Sequence, residues 1–133
     1  MRLFIGQTAS FAKTITQSDV YGFAGIVGDF NPVHVNSIVA EKSVFKKQVA
    51  HGMLVGSLIS TVLGMQLPGP GTIYLEQYLR FKKPVYFGDT ITAVVTVKEA
   101  INVDKGIFKL ETKAMNQNND CVIDGFAIVM YRE

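Results

Sequence analysis

A chain of 133 residues that is 48% hydrophobic and 18% charged has the apolar content for one well-buried core, is too short for two ordinary domains, and is too apolar to stay disordered. Its formal charge of +2 includes no Lys/Arg run longer than two residues, so a nucleic-acid partner has no support, and Lys46-Lys47 and Lys82-Lys83 read as solvated side chains. The single cysteine, Cys121, excludes an internal disulfide, a zinc cluster and a Cys-x-x-Cys motif, and it fits a reducing cytoplasm.

Residues 1–6 form an apolar run too short for a signal peptide, without a small-residue cleavage pattern. Residues 8–15 alternate weakly, as a strand does, and lead into Thr16-Gln17-Ser18-Asp19, where a hydroxyl followed three residues later by an acid resembles a capping box. A helix is predicted over about 18–27. Its glycines at 22 and 25, and Gly28 at its end, weaken it by roughly 1 kcal/mol each against alanine, so packing must hold it. A turn at residues 29–34 comes next, and Asn36 is placed to cap a short helix near 37–42.

Residues 52–67 carry no charge, and their apolar side chains cover most of a helical circumference, which predicts a core helix buried on nearly all sides. The stretch is shorter than the roughly 20 apolar residues a bilayer span requires, so no membrane partner is expected. Gly52, Gly56, Ser60 and Gly64 recur every four residues and stack on one face with almost no bulk. Either a sheet or a ligand chain must come close to that face. Pro68-Gly69-Pro70-Gly71 ends the helix. Beyond it, residues 72–81, 90–101, 106–116 and 121–131 are β-rich runs separated by hairpin-style connections. The expected fold class is α+β, a single domain over 1–133 with an antiparallel sheet wrapped around the long apolar helix. A sheet covers only one side of a helix, so a helix apolar all round predicts a second subunit.

The chemistry concentrates in Gly28-Asp29-Phe30-Asn31-Pro32-Val33-His34. A carboxylate and an imidazole five residues apart on a proline-stiffened turn suit proton transfer near neutral pH. The same residues are also good turn formers, because Asn and Asp bond local amides and proline presets its own φ. The other histidine, His51, opens His51-Gly52-Met53 before the apolar helix, where shaping the helix start is its expected role. Cys121 lies in a strand without a neighbouring histidine in sequence, which favours an inert thiol over a nucleophile.

Three blocks, in order, make the chain resemble the MaoC-like, (R)-specific enoyl-CoA hydratases with the hot dog fold. Asp29 to His34, flanking Asn-Pro, looks like that family's hydratase motif. His51-Gly52-Met53-Leu54 through Ser60 to Gln66-Leu67-Pro68-Gly69 looks like its central helix and exit. Tyr74-Leu75 through Leu79-Arg80-Phe81-Lys82-Lys83-Pro84-Val85 to Gly88-Asp89 resembles its first long strand and following turn.

The resemblance implies reversible syn hydration of trans-2-enoyl-CoA to (3R)-3-hydroxyacyl-CoA. Asp29 and His34 become the catalytic pair, and the Gly52 backbone N–H, at a helix N-terminus of the right polarity, becomes the oxyanion donor. Asn31, Ser60 and Gly56 become supporting or substrate-lining residues, with residues 37–49 expected along the acyl pocket. For Ser60 the competing reading is a helix serine bonded back one turn. No cofactor and no metal are implied, since coenzyme A belongs to the substrate. The partners implied are an acyl-CoA thioester and a second copy of the chain, as a homodimer or higher homo-oligomer. Two other readings keep the fold: a thioesterase, and a non-catalytic acyl-CoA or acyl-carrier binding module.

Overall fold

A computed structural model describes residues 3–132. Strand β1 (Thr8–Thr14) leads into helix α1 (Gln17–Val27), the helical turn α2 (Pro32–Val35), α3 (Ser37–Glu41) and the long helix α4 (Gly52–Met65). Strands β2 (Ile73–Phe81), β3 (Thr90–Asn102), β4 (Ile107–Met115) and β5 (Cys121–Met130) follow. The strands form one five-stranded sheet in the order β1-β3-β4-β5-β2, antiparallel throughout. The α+β expectation therefore holds, with each predicted element within a few residues of its place.

Local chemistry explains the starts of the helices. The Thr16 side chain accepts from the Asp19 amide at 3.1 Å and the Asp19 carboxylate accepts from the Thr16 amide at 3.0 Å, so the capping box forms. Lys13 reaches the same carboxylate at 2.8 Å. These hydrogen bonds, the one from Lys13 foremost, hold the Asp19 carboxyl below its ordinary value. The weak helix α1 buries Val20 and Ala24 and ends at Gly28, whose φ of 83° is the left-handed conformation that glycine adopts without strain. Asn36 accepts from the Ile38 and Val39 amides and caps α3.

The turn predicted over 29–34 is partly helical. Asn31 caps α2 with Pro32 at its first position, where a missing N–H costs nothing and a fixed φ is already helical.

Helix α4 lays Val55, Leu58, Ile59, Val62 and Leu63 against the concave face of the sheet. Alternate residues of β3 (Ile91, Ala93, Val95 and Val97) meet it there, fully buried. Full burial of a Val, Leu or Ile side chain contributes roughly 1.5–3 kcal/mol, so this layer holds the fold together. The helix is not buried all round as expected. Met53 and Met65 are 59% and 69% exposed, and Ser57 and Ser60 are exposed as well, because the sheet curves over one side only. The small-residue face is approached closely over its first two turns alone. A β-carbon on Gly52 would strike the Phe81 ring and one on Gly56 would strike Leu79, while nothing lies within 4 Å of that position at Gly64. Among the described residues no helix is long and apolar enough to cross a membrane.

Candidate active site

The site is assembled where three local structures meet: the loop between α1 and α2, the extended run before α4, and the end of β2. Asp29 sits in the loop, exposed, and its Oδ1 accepts from the Asn31 amide at 3.1 Å. Asn31 in turn accepts from the Val33 amide at 3.4 Å. Its side chain is thus spent on capping α2, while the residue also lines the cleft described below.

His34 follows on α2, half-buried. Its Nδ1 lies 2.7 Å from the Val49 carbonyl oxygen. A carbonyl can only accept, so Nδ1 carries the proton and Nε2 of the neutral ring is left as a lone-pair acceptor. The carbonyl is itself held in place. The Val49 amide donates to Val33 O at 3.1 Å, Ala50 N–H donates to Val85 O at 2.8 Å, and Val49 pairs with Tyr86 in an isolated bridge. Gln48 donates to the His34 carbonyl at 2.8 Å and to the Tyr21 hydroxyl at 3.0 Å. Hydrogen bonds from Gln48 and then Gln17 hold the Tyr21 phenol below its ordinary value.

A cleft of about 580 Å³ opens beside this pair, walled by His34, Phe45, Gly52, Phe81, Val85 and Ile123. Gly52 is the first residue of α4, so its N–H has no intrahelical acceptor, and it stands at the positive end of the helix dipole. Lys82 and Lys83 also line the cleft. Asp124 lies 3.6 Å from the Lys82 ammonium and Asp120 lies 3.5 Å from that of Lys83. These lysines are exposed, as read from sequence, and also form part of the cleft wall.

Gly56 and Ser60 are elsewhere. They line a second depression of about 320 Å³ with Met53, Ser57 and Leu79. Ser60 is eight residues from Gly52, roughly 12 Å along the helix at 1.5 Å per residue. The serine bonded back one turn is Ser57, to Met53 O at 2.7 Å, and not Ser60. Of the run expected along an acyl pocket, Phe45 and Val49 reach the first cleft. Cys121 is half-buried, its thiol donating to Ile123 O at 3.3 Å.

The residue whose contacts sequence reasoning missed is His51. It caps α4 by position, but its side chain bonds none of the helix amides. The ring instead stacks on His34, with centroids 3.9 Å apart and planes 28° apart. Asp29, His34 and His51 are the one group among the described residues close enough to share an ion, each offering a ligand atom within 4.8 Å of the others. They suit a metal poorly. Two rings stacked at 3.9 Å with planes 28° apart lie nearly parallel, so their nitrogens do not converge on one point as the ligands of a tetrahedral site do.

A curved antiparallel sheet around a long helix is the hot dog fold; here a histidine and a helix N-terminus line one cleft, and a loop carboxylate lies within 4.8 Å of that histidine. Residues 4–119 match the model of the MaoC like domain, and the chain belongs to that family. It is 50% identical over 125 residues to an (R)-specific enoyl-CoA hydratase of Rhodospirillum rubrum, a match covering 94% of this chain and 85% of the relative. It is 42% identical over 127 residues to the (R)-specific enoyl-CoA hydratase of Aeromonas caviae, covering 96% and 94%. The structure of R-hydratase PhaJ1 from Pseudomonas aeruginosa superposes with a TM-score of 0.93 at 42% identity, over 98% of this chain and 83% of that one.

Proposed function

We propose that this protein is an (R)-specific enoyl-CoA hydratase, a hydro-lyase that adds water reversibly and syn across trans-2-enoyl-CoA to give (3R)-3-hydroxyacyl-CoA. The observation that carries this reading is the bond from His34 Nδ1 to Val49 O, which leaves Nε2 free to accept a proton beside the Asp29 carboxylate. Water held between the two attacks C3 of the enoyl group. One of its protons passes to His34 Nε2, and its oxygen forms the new C–O bond. The electron pair of the C2=C3 bond moves onto the thioester oxygen, where the Gly52 N–H receives the developing charge. The enolate then takes a proton at C2 from His34 Nε2, so one water has been added and the pair is restored. Nothing in this cycle calls for a cofactor or a metal.

Lys82 and Lys83 at the cleft supply cationic partners of the kind a phosphate-bearing coenzyme A needs. The protein works in this reading as a homodimer in a reducing cytoplasm. Supporting the first is the row of exposed apolar side chains on edge strand β2, and supporting the second is the free Cys121 thiol.

The test is loss of the enoyl thioester absorbance with crotonyl-CoA, read in parallel with an (R)-specific hydroxyacyl assay and a free-thiol assay. Loss with (R)-product and no thiol is the expected result. Thiol release would make the protein a thioesterase, and no reaction with crotonyl, hexenoyl or octenoyl thioesters would leave a binding module.

A further inference from the structure

We propose that His51 is a positioning residue for the Asp29/His34 pair, its Nε2–H fixing the Asp29 main chain and its ring face fixing the His34 imidazole. This rests on the hydratase reading above for the reaction that is positioned, and on the following contacts for the role.

His51 is 2% exposed. Its Nε2 lies 2.9 Å from the Asp29 carbonyl oxygen, and since a carbonyl only accepts, Nε2 is the protonated nitrogen. One face of the ring stacks on His34. Phe23 of α1 packs against the same ring in an edge arrangement, with centroids 5.0 Å apart. A single side chain thus ties α1, the Asp29 loop, α2 and the start of α4 together at the point where the proposed chemistry occurs. The titratable groups around it are Asp29 and His34 themselves.

Core packing alone does not account for this residue. His51 Nδ1 is buried without a hydrogen-bond partner, a penalty that phenylalanine or leucine would avoid at the same volume. What histidine adds over those is one donor aimed at the Asp29 backbone. The Asp29 carboxylate stands on an exposed loop whose other local tie is the Asn31 amide, and a shift of about 1 Å in such a group costs on the order of a hundredfold in rate. His51 does not take part in proton transfer here, because its free nitrogen, Nδ1, is buried, whereas His34 lines the cleft.

The experiment uses the full chain and two variants. His51→Phe keeps a ring against His34 and removes the donor, whereas His51→Gln keeps an N–H donor of similar reach and removes the aromatic face. With crotonyl-CoA, His51→Phe is expected to lower kcat by about tenfold to a hundredfold with KM within about twofold, and His51→Gln to recover part of the loss. The pH profile of kcat keeps the limbs of the parent protein in both variants. A kcat within about twofold of the parent in both variants would overturn the proposal. So would the loss of one limb of the pH profile, since that assigns His51 a proton-transfer role.

The chain has two histidines, so nitrogen-15 spectra of labelled histidine give a readout independent of turnover. His51 is expected as the Nε2–H tautomer and His34 as the Nδ1–H tautomer, with His34 losing that single form in His51→Gln, where no ring face holds the imidazole against Val49 O. If the parent protein hydrates none of the enoyl thioesters, the hydratase reading fails, and these spectra alone decide. His51 protonated at Nδ1 instead, or a His34 tautomer unchanged in both variants, would then overturn the positioning role.

Discussion

Phe81 stands against Gly52 so closely that a β-carbon added to the glycine would lie 2.7 Å from the ring. The first residue of α4 and the last residue of β2 are therefore fitted to each other at the wall of the cleft. Gly52→Ala keeps the backbone N–H but pushes the half-exposed Phe81 ring aside. The expected outcome is a loss of about tenfold to a hundredfold in kcat/KM, because a thioester displaced by even 1 Å leaves the donor's reach. Steady-state kinetics alongside a melting curve check this. A fall in activity at an unchanged thermal midpoint is expected, and full activity would show that the fit of Phe81 to Gly52 does not position the thioester.

Asp29→Asn retains a side-chain oxygen for the Asn31 amide while removing the charge that orients water in the proposed reaction. Since Asp29 is exposed, folding should be unaffected. Hydration of crotonyl-CoA should fall by about two to four powers of ten, with binding of the substrate retained in a calorimetric titration. An Asp29→Asn protein at full activity would refute the mechanism.

Gly125 tests the fold instead of the site. A β-carbon there would overlap the Tyr78 carbonyl on the neighbouring strand, in the register where Leu79 faces Gly125. Backbone cannot step aside as a flexible side chain can. Gly125→Ala is therefore expected to destabilise by about 1–3 kcal/mol or more, seen as a thermal midpoint lowered by several degrees. A midpoint within a degree of the parent would contradict the pairing of β2 with β5.

The capping box offers a pH test. The Asp19 carboxyl is held below its ordinary value of 3.8, first by Lys13 and next by the Thr16 amide. A depressed folded-state value means that the carboxylate stabilises the fold above about pH 3.8, and that this stabilisation is lost as pH falls through the lower folded value. Asp19→Asn should be less stable than the parent at pH 7 by about 1 kcal/mol, and the two should converge in strong acid. Denaturant midpoints across that range measure the difference, and a gap independent of pH would refute the assignment.

Ile73, Tyr74, Leu75 and Tyr78 are exposed along β2, a strand with one open edge. Such an edge, apolar and unpaired, is where association is expected. Light scattering should give twice the chain's 14.6 kDa, and Tyr78→Lys should shift the mass towards one chain. A parent protein that scatters as a monomer would rule out the homodimer.

Much of the fold was readable because its signals are local. A β-rich run marked β3, a hydroxyl and an acid three residues apart marked the start of α1, and an uncharged stretch marked α4. The open side of α4 was not readable: Met53 and Met65 are apolar, and only the reach of the sheet decides that they face outward. Nor could spacing show that Gly56 and Ser60 line a second depression, which meets the cleft beside His34 at Met53. His51 was visible as a residue at a helix start. Its contacts with Asp29 and His34 span 22 and 17 positions, and such contacts depend on how α1 and α2 fold back, which no periodicity records.

The acceptor that fixes the His34 tautomer is main chain. Any amino acid at position 49 supplies the same carbonyl, held by the same two amides and the bridge to Tyr86, while the Val49 side chain helps to line the cleft. Proton chemistry and pocket shape are thereby carried by different atoms of one residue. In the proposed reaction, a change of side chain at position 49 would alter the space left for an acyl group while the main-chain acceptor for the His34 imidazole stays in place.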